Sequence, residues 1–114
     1  MSRLVRGALV QATLSEPTTS PVEKIKKSMI DKHVHMLEQA AEQGAQVACF
    51  QELFYGPYFC AEQDAKWYEL TEPVPDGPTI KLFQEQAKKL GIVLVLSVYE
   101  EDLAGVYYNT AAVV

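Results

Sequence analysis

The sequence predicts an α/β layered sheet with the element order β-α-β-(loop)-α-β-β. Three observations support it. Two amphipathic helical patterns alternate with short apolar runs. Ile92 to Val98 is nearly continuously apolar, the pattern of a central strand covered on both faces. The strands before it are separated by helix-length connections, which suit right-handed crossovers.

Leu4 to Ala12 reads as the first strand, rich in aliphatic residues. Thr13 to Ser20 is a polar loop containing a proline. A helix then starts at Ser20-Pro21-Val22-Glu23, with Ser20 as cap, Pro21 in the first turn and Glu23 completing a capping box. Val22, Ile25, Met29, Met36 and Ala40 form one apolar face. Ile30, Val34, Leu37 and Ala41 widen it, and Gly44 ends the helix. His33 falls at the edge of this face and His35 on the solvent side. Gln46 to Phe50 is the second strand.

Gln51 to Asp76 is a long, aromatic-rich connection, of a kind that carries function or its own short helix. Ala61 to Tyr68 is the segment expected to be helical. Asp76-Gly77-Pro78 starts the next helix, with Ile80, Phe83, Ala87 and Leu90 on one face and Gly91 at its end. Lys88 and Lys89 suit the negative end of that helix dipole. Glu100 to Gly105 reads as a polar turn. Val106 to Val114 reads as a fourth strand, paired antiparallel with the third. Residues 1–114 contain no repeat, low-complexity segment or internal boundary, and are read as one domain. The sequence stops within an apolar strand, and an exposed apolar edge is a liability. The expectation is therefore that this is the first segment of a longer chain.

A length of 114 residues is enough for one core. The net charge of -5 weighs against a nucleic acid or an anionic membrane as partner. No apolar run reaches membrane-spanning length, and the N-terminus lacks the pattern of a secretory signal. The expected location is cytoplasmic. Cys49 and Cys60 are the two cysteines. Neither has a Cys or His at metal spacing, and nothing cationic nearby would lower a thiol pKa. Both read as structural thiols, with Cys49 buried. His33 and His35 lie two apart on a helix and cannot share a metal. No glycine-rich phosphate cradle is present.

One place combines charge, position and surroundings. Glu52 follows the apolar run Val47–Phe50 and stands among Phe50, Phe54, Tyr55, Tyr58 and Phe59. A carboxylate starved of water by aromatics is a stronger proton acceptor near neutral pH. The plain alternative is a solvated acid at a strand end. The aromatics from Tyr55 to Tyr68 read equally as packing for the connection or as a pocket wall beside Glu52. Tyr55, Tyr58 and Asn109 are the candidate substrate-binding residues.

Several separated segments resemble the nitrilase (carbon-nitrogen hydrolase) superfamily, in order along the chain. They are Leu9-Val10-Gln11-Ala12, the run Gly44 to Phe54, Gly77-Pro78-Thr79, and Tyr108 to Ala112. Phe54-Tyr55-Gly56-Pro57-Tyr58-Phe59-Cys60 resembles the N-carbamoyl amidohydrolase branch, of the β-ureidopropionase and N-carbamoylputrescine amidase kind. The resemblance implies the N-terminal part of a four-layer α-β-β-α sandwich and a homo-oligomer. It implies a small-molecule N-carbamoyl or amide substrate, and neither metal nor organic cofactor. It also implies a Glu-Lys-Cys triad in which Glu52 matches the general base. Neither Cys49 nor Cys60 matches the nucleophile, and Lys66, Lys81, Lys88 and Lys89 do not match the triad lysine. The implied reaction is hydrolysis of an N-carbamoyl amine or amino acid, releasing ammonia and carbon dioxide. The alternatives are a non-catalytic α/β interaction module and an ω-amidase or acyltransferase parent.

Overall fold

The computed structural model describes residues 2–114. Its elements are β1 (Gly7–Val10), α1 (Val22–Glu42), β2 (Val47–Phe50), α2 (Pro78–Leu90), β3 (Val93–Glu101) and β4 (Tyr107–Val113). Two short 3-10 turns, Phe59–Ala61 and Ala65–Leu70, break the long connection between β2 and α2. They stand where one helix over 61–68 was expected. The strands lie in the order β1-β2-β3-β4. The first three are parallel, with Leu9, Cys49 and Val95 in register, and β4 is antiparallel to β3. The predicted order and the terminal hairpin are both present.

Strand alternation divides the sheet into two faces. Val10, Ala48, Phe50, Leu94, Leu96 and Val98 are buried in one core with Ile25, Met29 and Leu37 of α1 and Ile80, Phe83 and Ala87 of α2. Burying each large side chain of this kind contributes about 1.5–3 kcal/mol. The other face is open. Leu9 is 89% exposed, Val113 69% and Val93 49%. Within these residues the two helices cover one face of β3, and its other face, which is also apolar, is bare. Cys49 shares the open face with Leu9 and Val95, so it is half-buried rather than sealed.

Helix α1 starts one residue later than the capping pattern suggested. Pro21 takes the N-cap with extended ψ, and no side chain caps the helix. The Ser20 hydroxyl instead donates to Glu16 Oε2 at 3.5 Å. His33 is fully buried, not at the edge. It fills the position between Met29 and Leu37 on the inward stripe, donates from Nδ1 to the Met29 carbonyl at 2.7 Å, and packs against the rings of Phe50 and Phe54. Helix α2 begins at Gly77-Pro78 and ends at Gly91, which adopts φ +65, as the sequence pattern indicated. Glu100 and Glu101 extend β3 instead of forming the turn, because each is held by a side-chain partner: Thr110 Oγ1 donates to Glu100 and Thr71 Oγ1 to Glu101.

Burial holds the pKa of His33 below its ordinary 6.5, and Lys32 adds to the effect against the opposing Met29 carbonyl. The folded chain thus binds this proton less readily than the unfolded chain does. Stability is full above pH 6.5 and is lost as pH falls from there through the lower folded value. Urea unfolding followed from pH 8 to pH 5 should show this decline, and His33→Leu should flatten that part of the profile.

Candidate functional site

Glu52 lies just past the carboxyl end of β2, where parallel α/β sheets place their chemistry. The backbone there is unusual. Leu53, a buried leucine, has φ +51, in the left-handed region that non-glycine residues seldom adopt. Its N–H donates to Ser97 Oγ of β3 at 2.9 Å. That tight turn directs Glu52 towards β4, where Asn109 Nδ2 donates to Glu52 Oε1 at 2.5 Å. Ser97 Oγ lies 3.4 Å from Asn109 Oδ1. Glu52, Ser97 and Asn109 thus form one polar array on the open face of the sheet, flanked by the apolar Val95 and Ala111.

The expectation of a desolvated Glu52 is corrected. Phe50, Phe54 and Tyr55 turn into the helix-covered core, so Glu52 stands exposed on the opposite side. Tyr55 does not join the array. It is 2% exposed, and its hydroxyl donates to the Leu70 carbonyl at 2.8 Å and accepts from Tyr99 N at 3.2 Å. Burial, then the neighbouring Glu72 carboxylate, push its pKa well up. Its hydroxyl is thereby committed to holding the long connection against β3. Tyr58 does stand near Glu52 and is exposed. The Cys60 thiol beside its hydroxyl, and to a lesser degree Glu52, raise its pKa. The structure therefore brings together Glu52, Asn109 and Tyr58, and leaves out Tyr55.

A cavity of about 410 Å3 opens beside this array, lined by Phe59, Cys60, Glu62, Asp64, Trp67, Tyr68 and Tyr99 among others. Phe59 stacks on Tyr99 with ring centres 4.5 Å apart, and Tyr68 and Tyr107 pack around the same ring. Tyr99 pairs directly with Asn109 across the hairpin, so the two side chains share a face. The aromatics serve both readings taken from the sequence: Tyr55 and Trp67 pack the connection, while Phe59 and Tyr68 wall a cavity.

Two supports escaped the sequence reading. Ser97 lies within an apolar strand and gives no local signal. Glu72 is 4% exposed and accepts from Thr79 N at 2.7 Å, from the Thr79 hydroxyl, and from Lys26 Nζ at 2.9 Å. It fixes the end of the connection to the first turn of α2 and to α1. Gly77 is required there, since a Cβ would approach the Pro73 carbonyl oxygen to 2.6 Å. The tight Pro-Val-Pro-Asp-Gly-Pro run after Glu72 was the available clue. Among the described residues no group of three or more acidic, His or Cys side chains is placed to hold a metal.

A mixed four-stranded sheet with both helices on one face, and an acid held at the carboxyl end of a strand by a residue of the adjoining hairpin, is an α/β arrangement with a polar array at its strand ends. Residues 7–114 match the carbon-nitrogen hydrolase family, and the chain belongs to it. It is 33% identical over 114 residues to a β-ureidopropionase of Arabidopsis thaliana, covering 98% of this chain and 28% of that protein. It is 31% identical over 113 residues to an N-carbamoylputrescine amidase of Solanum lycopersicum, covering 99% of this chain and 35% of the relative. The fold superposes on a carbon-nitrogen hydrolase from Helicobacter pylori G27 with a TM-score of 0.72 at 24% identity, over 96% of this chain and 35% of the other. The chain thus spans about a third of the length of these relatives. No helix among the described residues is long and apolar enough to cross a membrane.

Two substitutions probe the supports. Glu72→Ala leaves the Thr79 N–H without its acceptor and the half-buried Lys26 without its partner, and should lower unfolding stability by about 1–3 kcal/mol in urea titrations. Ser97→Ala strands the buried Leu53 N–H and should cost about 1–3 kcal/mol in the same measurement.

Proposed function

We propose that these residues form the N-terminal segment of a longer carbon-nitrogen hydrolase domain that cleaves an N-carbamoyl amine or amino acid, releasing ammonia and carbon dioxide. Glu52 is the general base of a Glu-Lys-Cys triad whose Lys and Cys match no position in this chain. The observation that carries the reading is the position of Glu52, held out by the left-handed Leu53 turn and bound by Asn109. Family membership and the names of the relatives support the same chemistry.

A thiol becomes an effective nucleophile when a base removes its proton. Glu52 takes that proton. The thiolate adds to the carbamoyl carbon, and the protonated Glu52 returns its proton to the departing nitrogen, which leaves as ammonia and gives a thioester-like acyl-enzyme. Glu52 then takes a proton from the water that clears it. Asn109 keeps the carboxylate aimed during both steps. Tyr58 borders the entrance to the site. The enzyme acts on small molecules in the cytoplasm as a homo-oligomer.

A second reading has a specific observation behind it. The apolar residues Leu9, Val93 and Val113 lie bare on the open face, and no triad Lys or Cys is matched. The 114-residue chain by itself is then a non-catalytic α/β unit.

The test uses the full-length gene product, assayed for ammonia release from N-carbamoyl-β-alanine and from N-carbamoylputrescine. Glu52→Gln should lower kcat by about 10²–10⁴-fold, the usual contribution of a positioned base. Near-normal turnover by that variant would reject the role given to Glu52. The 114-residue chain alone should release no ammonia, and turnover abolished by alkylating Cys60 would overturn the assignment of Cys60 as a structural thiol.

A further inference from the structure

The aromatic cavity beside Glu52 has a chemical bias of its own. Its walls include the rings of Phe59, Trp67, Tyr68 and Tyr99, and its charged rim carries Glu62 and Asp64. These two acids are not equivalent. Asp64 caps the turn Ala65–Leu70 by accepting from Lys66 N at 2.9 Å, and lies 3.6 Å from Lys66 Nζ. Lys66 Nζ is further held by the Thr18 carbonyl and by the Trp67 ring, 4.5 Å from its centre. The charge of Asp64 is therefore largely offset. Glu62 makes no ion pair among the described residues and is exposed at the same rim. The cavity thus has aromatic walls and one uncompensated negative charge at its rim. Aromatic faces joined to a carboxylate attract an ammonium group and repel a carboxylate.

The cavity also has the right neighbour. Tyr99, in its wall, stands directly opposite Asn109, which holds Glu52. Directly opposed residues on one face of an antiparallel pair lie about 5 Å apart. The cavity wall and the residue that holds Glu52 therefore adjoin on one face of the hairpin.

We propose that this cavity takes the distal ammonium group of the substrate, with Glu62 as its counter-charge, so that an N-carbamoyl diamine is preferred over an N-carbamoyl amino acid. The inference rests on the hydrolase reading above and narrows it to one substrate class. Glu62 is a specificity-determining residue that binds the non-reacting end of the substrate.

Two measurements separate a failure of this inference from a failure of the hydrolase reading. In the full-length product, the ratio of kcat/KM for N-carbamoyl-1,4-diaminobutane over N-carbamoyl-β-alanine should favour the diamine. It should fall about tenfold in Glu62→Gln and further in Glu62→Lys, whereas a ratio unchanged by both overturns the inference. If neither compound is turned over, the hydrolase reading fails, and binding to the 114-residue chain decides the cavity separately. Trp67 is the sole tryptophan of this chain and lies in the cavity wall, so its fluorescence reports occupancy. 1,4-Diaminobutane should shift its emission in the wild type at concentrations where uncharged 1-butanol does not, with about tenfold more required in Glu62→Gln. Equal responses to the amine and the alcohol, or no response to either, overturn the inference.

Discussion

Val10, Ala48, Phe50, Leu94, Leu96 and Val98, alternate residues of β1 to β3, enter one sealed layer beneath α1 and α2, and the burial of that layer is the interaction on which the rest depends. Phe50, Phe54 and Phe83 meet there edge to face, with His33 among them. Such contacts add to the area they bury. Because the layer takes one face of the sheet, alternation sends the remaining residues to the other side. Leu9, Cys49, Val95 and Val113 appear there, and so do Ser97, Asn109 and the aromatic cluster around Tyr99. The polar array around Glu52 is thus a consequence of strand register. A shift of β4 by one residue would carry Asn109 to the opposite face and leave Glu52 without its partner.

The long connection is tied down at both ends by buried polar groups. Near its start, Tyr55 reaches the Leu70 carbonyl and the Tyr99 amide. At its end, Glu72 bridges Lys26 and Thr79, while its backbone pairs with Tyr99 and Glu101. A buried carboxylate is costly unless paired and hydrogen-bonded, and Glu72 is both. These ties hold Phe59 and Tyr68 against the hairpin and so shape the cavity next to Glu52. They also explain how a loop with two short 3-10 turns keeps a defined course.

Much of this was legible along the chain. Helical spacing located α1 and α2, the Gly77-Pro78 start and Gly91 stop fixed the ends of α2, and the apolar runs located the strands. The segments around Glu52 and Asn109 pointed to the carbon-nitrogen hydrolase family, and residues 7–114 match it. The surroundings of Glu52 were misread for a definite reason. Neighbours in sequence after a strand do not share its side of the sheet, and the Leu53 turn sends Glu52 away from Phe50, Phe54 and Tyr55. Aromatic density was a true signal of packing and cavity, but it did not tell which ring served which.

The sequence by itself determined the order of elements and the helix faces, because these rest on local periodicity and turn chemistry, while Glu52 was singled out by its aromatic neighbours along the chain and by the family resemblance. Tertiary structure alone decided that Tyr55 would be spent inside the core, that Ser97 would secure the Leu53 turn, and that Glu72 would meet Lys26 and Thr79. Each of those contacts joins residues that only the crossover connections and the hairpin register bring together, and no local pattern encodes such distances.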